Sequence, residues 1–209
     1  MKKSKEQNFE KQLPVGYKLA LHFNAKSAKF GIILNLIAVV ALVVVMAIAV
    51  LVLHFAGKLS VDILAGGYPQ LLIATFAMVV AMVVYVVLHE LVHGIAYKLT
   101  TGEKLTFGLA WSCAFCGVPH IFTYRKTAII SVISPFVLFT FVFIPLLVLT
   151  YCASPLYFLV TAFVFGLHLG GCSGDLYVFY LLTARFKDKK TLMRDTGPEQ
   201  FFYVPDSEN

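Results

Sequence analysis

The stretch that decides the fold is QLLIATFAMVVAMVVYVVLHELVHGIAYKL, Gln70 to Leu99, an apolar run that carries two histidines and a glutamate near its end. The run is longer than the roughly 20 apolar residues that a helix needs to cross the hydrocarbon core of a bilayer. Ionisable side chains at such depth are costly and need a partner, a metal ion or water. The stretch therefore predicts a membrane-spanning helix in which His89, Glu90 and His93 have a function.

The rest of the chain has the composition of an integral membrane protein. Of its 209 residues 59% are hydrophobic and 13% are charged, and the mean hydropathy is +0.83, outside the range of ordinary soluble domains. Three further runs are long enough to span a bilayer: Gly31 to Ala56, Thr127 to Tyr151 and Pro155 to Leu182. We expect an all-α membrane protein with four transmembrane helices and a short β-prone cytoplasmic loop between the second and third helices.

The positive charges predict the orientation and the division of the chain. Lys and Arg cluster before the first helix, in the second connection and after the last helix, and Lys58 alone lies in an outside loop. Because positive charge is retained in the cytoplasm, both termini are expected there. The net charge of +6 then reflects topology and attraction to anionic lipid rather than nucleic-acid binding. We expect a cytoplasmic or interfacial segment 1–30, a membrane-embedded domain 31–182 and a cytoplasmic tail 183–209.

The loop between the second and third helices contains two β-prone runs. LTFGLAW (105–111) and HIFTYR (120–125) are rich in aromatic and β-branched residues and are separated by SCAFCGVP (112–119), which contains Gly and Pro. This pattern predicts a hairpin or a re-entrant element at the membrane surface.

The histidines and the glutamate of the opening stretch form an HExxH pattern. Two His residues four positions apart share a helix face and can bind one Zn²⁺, while the Glu beside the first His reaches water at the metal. His89 lies 19 residues after Gln70, and Asp175 lies 20 residues after Pro155 in a helix that runs the same way. At about 1.5 Å per residue both lie roughly 29 to 30 Å into their spans, so Asp175 is at the right depth to be the third ligand.

Other interpretations of these residues stay open. The HExxH could be a purely structural metal site, and Asp175 could be a packing carboxylate bonded to a loop N–H. His168, about two turns deeper than Asp175, could be the third ligand, a group that stabilises the transition state, or a hydrogen-bonded buried histidine. Gly166, Gly170 and Gly174 form a small-residue ridge that we expect to bring the second and fourth helices together.

Two further features have ordinary explanations. Tyr97 is expected to be an interfacial belt residue. Cys113 and Cys116 form a CxxC with His120 four residues later, which could indicate a second metal or redox site, although free loop cysteines are the default interpretation.

Six stretches between Leu13 and Pro205 carry a resemblance to a known family: LPVGYK, HELVHGIAYKL, LTFGLAW, ISPF, GCSGDLYVFYLL and TGPEQFFYVP. Together they resemble the family known as putative zincin peptidases, small four-helix bacterial membrane proteins related in plan to site-2 proteases. The resemblance implies zinc ligation by His89, His93 and Asp175 and a catalytic carboxylate at Glu90. It also implies a multi-pass protein of the bacterial plasma membrane.

The sequence departs from the site-2 protease signature at one point. That signature places an Asn and a Pro ahead of an Asp-Gly pair. Here Asp175 is preceded by Gly174 and followed by Leu176, and His168 stands where an Asn is expected.

These features favour a membrane-embedded zinc metallopeptidase that cleaves a membrane or membrane-proximal protein near the cytoplasmic face. The expected partners are a peptide substrate and the lipid bilayer, without nucleic acid. The alternative is a non-catalytic membrane protein, stabilised by the metal, that binds or regulates a partner as an immunity protein does. A metal transporter or channel is less favoured, because no polar pathway continues outward through the first and third helices.

Overall fold

Helices make up most of the computed structural model, which describes residues 8–59, 67–110 and 113–206. Four helical stretches are long and apolar enough to cross a membrane: Ala28–Phe55, Gly67–Thr101, Arg125–Ala153 and Pro155–Arg185. The first three are α1, α2 and α3. Every predicted boundary lies within 3 residues of the observed one. The prediction of four such helices is therefore confirmed.

The fourth stretch is interrupted, whereas the sequence predicts one unbroken helix. It consists of α4 (Pro155–Gly171), α5 (Ser173–Tyr180) and a π-helical turn, Leu181–Arg185. Cys172 separates α4 from α5, with φ −74° and ψ 0°. Two successive glycines precede the break, and glycine is a poor helix former. The interruption places Asp175 in the first turn of α5.

The expectation of an all-α protein is wrong in one respect, because the described chain also contains an antiparallel sheet of five strands. Their order across the sheet is β1-β5-β6-β7-β2. The strands are β1 (Phe9–Glu10), β2 (Tyr17–Asn24), β5 (Phe122–Tyr124), β6 (Leu192–Asp195) and β7 (Glu199–Pro205). Both terminal segments thus supply strands, and β2 pairs with β7 from the opposite end of the chain.

The loop between α2 and α3 does form a hairpin, but its second strand is not the predicted one. β3 (Thr106–Ala110) pairs with β4 (Cys113–Gly117), which lies in the segment read as a linker. The other β-prone run supplies β5 to the five-stranded sheet. The link between β3 and β4 is only two residues, the commonest length in β-hairpins, and it lies outside the described residues.

The chain divides into two compact units. The first unit comprises the described residues of 8–31, 88–135 and 174–206, and the second comprises those of 32–87 and 136–173. Both sheets lie in the first unit. Its core includes Tyr97, Val118 and Ile121, with Phe9 and Leu105 packed against them. The division into segments 1–30, 31–182 and 183–209 follows the membrane spans and stays a prediction.

The second unit is built by helix packing, and its glycines contact a different helix from the one expected. A Cβ added to Gly166 would lie 2.9 Å from Leu42 Cδ1, and one added to Gly170 would lie 2.6 Å from Ala38 Cα. Leu42 and Ala38 both belong to α1. These two glycines therefore allow close packing of α4 on α1 rather than on α2.

Candidate metal centre

Three donor atoms converge in the first unit. His89 Nε2 lies 3.2 Å from His93 Nε2 and 3.2 Å from Asp175 Oδ2, and His93 Nε2 lies 3.4 Å from the same carboxylate oxygen. The two histidines come from one face of α2, because residues four apart on a helix are neighbours. Asp175 comes from the first turn of α5. The three residues could hold a metal ion, and we call them the metal centre.

The dimensions of this triangle fit a tetrahedral metal site. Zinc bonds of about 2.0 to 2.2 Å to nitrogen and carboxylate oxygen place neighbouring donor atoms about 3.3 to 3.6 Å apart. The observed separations span 3.2 to 3.4 Å. Both histidines are buried, each with 8% of its surface exposed. Buried polar groups need partners, and a shared cation satisfies all three donors at once.

A backbone carbonyl orients one of the two imidazoles. His93 Nδ1 lies 2.8 Å from the carbonyl oxygen of Ser131 in α3. Since a carbonyl only accepts, Nδ1 carries the hydrogen, and the Nε2 of a neutral ring then has a free lone pair. That lone pair belongs to the atom in the triangle. A metal-binding histidine usually donates its other N–H to such a partner.

Glu90 lies beside the triangle without belonging to it. Its half-buried carboxylate interacts electrostatically with His89, His93 and Asp175 and accepts a hydrogen bond from the backbone N–H of Cys116 in β4. A strand of the hairpin therefore orients the glutamate next to the metal centre.

Gly94, the residue after His93, allows the hairpin to pack closely on α2. A Cβ at this position would lie 2.8 Å from Phe107 Cζ, 3.1 Å from Leu105 Cδ1 and 3.3 Å from Cys116 Sγ. The first of these distances is shorter than real Cβ contacts allow. A side chain here would therefore force the Phe107 ring of the hairpin to move.

A comparison with known families identifies the chain. A family model described as "Putative zincin peptidase" matches residues 82–189, just over half of the sequence. The chain belongs to this zincin peptidase family. The match contains Glu90 and all three residues of the metal centre, and it confirms the resemblance seen in the sequence. No curated protein and no solved structure matches the chain.

His168 lies in the second unit. It is fully buried, with Nδ1 2.9 Å from Tyr85 Oη and Nε2 3.1 Å from Thr140 Oγ1. Cys172 Sγ lies 3.6 Å from the same Nδ1. The aromatic rings around the imidazole include those of Phe136, Phe139, Phe143 and Phe165. Both ring nitrogens thus have hydroxyl partners within this unit, and a role of His168 in zincin chemistry stays a prediction.

The CxxC has one described thiol. Cys116 is a free, buried cysteine, and burial, with smaller effects of Asp195 and Glu90, raises its pKa to about 12. The thiol is therefore protonated at neutral pH, which disfavours reactivity. The side chain of Cys113 lies outside what the structure describes, and His120 is exposed. A second metal or redox site at these residues stays a prediction.

Tyr97 is not a belt residue, contrary to the sequence-based expectation. It is fully buried, and its hydroxyl donates to Asp195 Oδ2 over 2.6 Å. The sequence reasoning did not single out Asp195 at all. Two signals could have drawn attention to the pair: Tyr97 lies one turn after His93 on α2, and Asp195 directly precedes the TGPEQFFYVP stretch.

Proposed function

We propose that this member of the zincin peptidase family is a membrane-embedded, zinc-dependent metallopeptidase that hydrolyses a peptide bond of a membrane or membrane-proximal protein near the cytoplasmic face. The observation that carries the proposal is the triangle of His89, His93 and Asp175 donor atoms with Glu90 beside it. Three protein ligands and a neighbouring carboxylate are typical of catalytic zinc sites, which keep a fourth position open.

The metal centre has the chemistry that zinc prefers, with two imidazole nitrogens and one carboxylate oxygen. When bound, zinc supplies Lewis acidity, which polarises a carbonyl and lowers the pKa of water at the site to about 7. The protein fixes the ligands. The Ser131 carbonyl holds the His93 ring, and the break between α4 and α5 sets the position of Asp175.

Glu90 is the general base in this proposal. A carboxylate next to the metal can take a proton from water and later give it to the leaving amine. The N–H of Cys116 holds that carboxylate in place. Glu90 therefore moves the proton and leaves ligation to the other three residues.

The hairpin also offers a place for an extended substrate. Among the described strands β3 pairs with β4 alone, which leaves its outer edge without a strand partner. Two apolar side chains of β3, Phe107 and Leu109, are exposed by 52% and 86%. An extended peptide can add to such an edge through main-chain hydrogen bonds. We infer that the substrate binds along β3, on the hairpin whose other strand orients Glu90.

The proposed location is the bacterial plasma membrane. Four helices long and apolar enough to cross a bilayer support membrane embedding, and the distribution of Lys and Arg supports a cytoplasmic site.

Replacing Glu90 by Gln tests the proposal. The purified full-length protein and the Glu90→Gln variant would be incubated in detergent with fluorescein-labelled casein, and co-expressed with a panel of tagged single-span proteins. The cleavage rate should fall by about 100-fold or more, since a general base contributes that much, while the zinc content stays unchanged. The matched control is Glu103→Gln, which removes an acid that pairs with Lys11 at 3.4 Å, away from Glu90.

Two results would contradict the proposal. One is cleavage at the wild-type rate by the Glu90→Gln variant. The other is a wild-type protein that cleaves nothing while its cellular effect persists in the variant, which is the behaviour of a metal-stabilised binding protein.

A further inference from the structure

Asp195 lies in the C-terminal tail, where β6 ends and the turn to β7 begins. Its buried carboxylate joins this turn to helix α2. The residue is 5% exposed. Oδ2 accepts from the Tyr97 hydroxyl over 2.6 Å, and Oδ1 accepts from Gly197 N over 2.9 Å and from Gln200 Nε2 over 3.3 Å. Burial raises the pKa of Asp195, and the three donors offset part of that penalty.

The backbone of the same turn holds the end of β4. The N–H of Val118 donates to the Asp195 carbonyl over 3.0 Å, and a Cβ on Gly117 would lie 2.6 Å from Gly197 N. Gly197 has φ +99°, and a Cβ there would overlap the Phe115 ring. Only glycine fits at this position, because the positive φ and the Phe115 ring both exclude a side chain. The turn that begins at Asp195 is therefore packed closely against strand β4.

Asp195 thus contacts both elements that meet at Glu90. Its side chain binds Tyr97, which lies seven residues after Glu90 on α2, and its backbone carbonyl accepts from the N–H of Val118, the residue that follows β4. The hydrogen bond from the Cys116 N–H to the Glu90 carboxylate joins the same two elements. Its length depends on how closely α2 and β4 are held together.

We propose that Asp195 is a positioning residue: it holds α2 and β4 together so that the backbone N–H of Cys116 stays on the Glu90 carboxylate. The C-terminal tail is then part of the catalytic unit. The effect on catalysis rests on the proposed function of Glu90, whereas the effect on the hairpin does not.

The first test measures the hairpin and needs no substrate. Hydrogen–deuterium exchange of residues 113–118 would be compared in the full-length wild-type protein and in the variants Asp195→Asn and Tyr97→Phe. Tyr97→Phe removes a single hydroxyl and keeps the ring in the core, so it tests the proposal even if Asp195→Asn is unstable. Exchange of this segment should rise about tenfold in both variants, as expected for the loss of one buried hydrogen bond.

The chain offers a matched control for the loss of a tyrosine hydroxyl. Tyr124 Oη donates to Glu10 Oε1 over 2.8 Å, a second tyrosine–carboxylate pair in the first unit. Tyr124→Phe should leave exchange of 113–118 unchanged. Unchanged exchange in both Tyr97→Phe and Asp195→Asn would overturn the proposal, whatever the activity of the protein.

The second test separates positioning from plain stabilisation. With fluorescein-labelled casein, kcat of Tyr97→Phe should fall about tenfold while KM and zinc content stay at wild-type values, because the substrate edge and the ligands are untouched. Raised exchange with unchanged kcat would refute the positioning role. A wild-type protein without Glu90-dependent cleavage would instead refute the proposed function, and the exchange result would still decide whether Asp195 holds the hairpin.

Discussion

A single hydrogen bond of His93 determines which of its ring nitrogens can bind a metal ion. One ring nitrogen donates to the Ser131 carbonyl, which leaves the other as an acceptor 3.2 Å from His89 Nε2 and 3.4 Å from Asp175 Oδ2. The hydrogen bond selects the tautomer that binds a metal, and ligand geometry then follows from helix spacing.

Leu109 tests the proposed substrate edge at the scale of one residue. A Leu109→Glu substitution should raise KM for fluorescein-labelled casein about tenfold and leave kcat within about twofold, because it alters the β3 edge and no reacting group. Val15→Glu is the control, since Val15 is also an exposed apolar residue but lies in the N-terminal segment. An unchanged KM in Leu109→Glu would exclude binding of this substrate along β3.

Sequence reasoning reached some of the site residues and missed others for a physical reason. His89, Glu90 and His93 share one helix turn, so local spacing reveals them, and depth along the spans pointed to Asp175. Tyr97 and Asp195 are 98 residues apart in the sequence, and their hydrogen bond joins α2 to the end of β6. Periodicity within one segment cannot show such a contact.

Among the elements, the β3–β4 hairpin is the one on which the proposed function depends most. One strand donates an N–H to Glu90, the other has an edge with no partner among the described strands, and both lie close to α2 at Gly94. If Glu90 is the general base and β3 binds the substrate, as proposed, the position of this small sheet affects both.

Substituting Gly94 tests whether close hairpin packing matters. Gly94→Ala should lower the cleavage rate about tenfold or more and lower the melting temperature, because the new Cβ overlaps Phe107 and Leu105. Its control is Gly31→Ala, where an added Cβ meets its nearest atom, Ala25 O, at an ordinary 3.7 Å. Kinetics and thermal denaturation of both variants would check this, and wild-type rates in Gly94→Ala would show that the hairpin tolerates displacement.

The helices were predictable because each is a long apolar run, and length and hydropathy suffice to find such runs. The five-stranded sheet was not, since β2 pairs with β7 across most of the chain and no local turn signal marks that pairing. The break between α4 and α5 was not predicted, because the run was judged by its overall length and the two glycines before Cys172 were not read as a helix end.

At the scale of the whole molecule, the sheet constrains the topology. Residues 17–24 pair with residues 199–205, so a membrane crossed by the helices would have both terminal segments on the same side. Four helices, if all of them cross the membrane, have the same consequence. The sheet does not show which side this is, and the positive charges predict the cytoplasm.

Fusions to the two termini test this topology. Green fluorescent protein at either end should fluoresce and alkaline phosphatase at either end should be inactive, as expected for cytoplasmic termini. Termini on opposite sides would contradict the β2–β7 pairing, and two external termini would contradict the charge rule.

The zinc content of the purified protein tests the central claim most directly. Metal analysis of the folded full-length chain should find about one zinc per chain in the wild type, in Glu90→Gln and in His168→Asn. Asp175→Ala and His93→Ala should lose most of it, because each removes a donor atom of the triangle. A wild-type protein without zinc, or zinc kept by Asp175→Ala and lost by His168→Asn, would contradict the account.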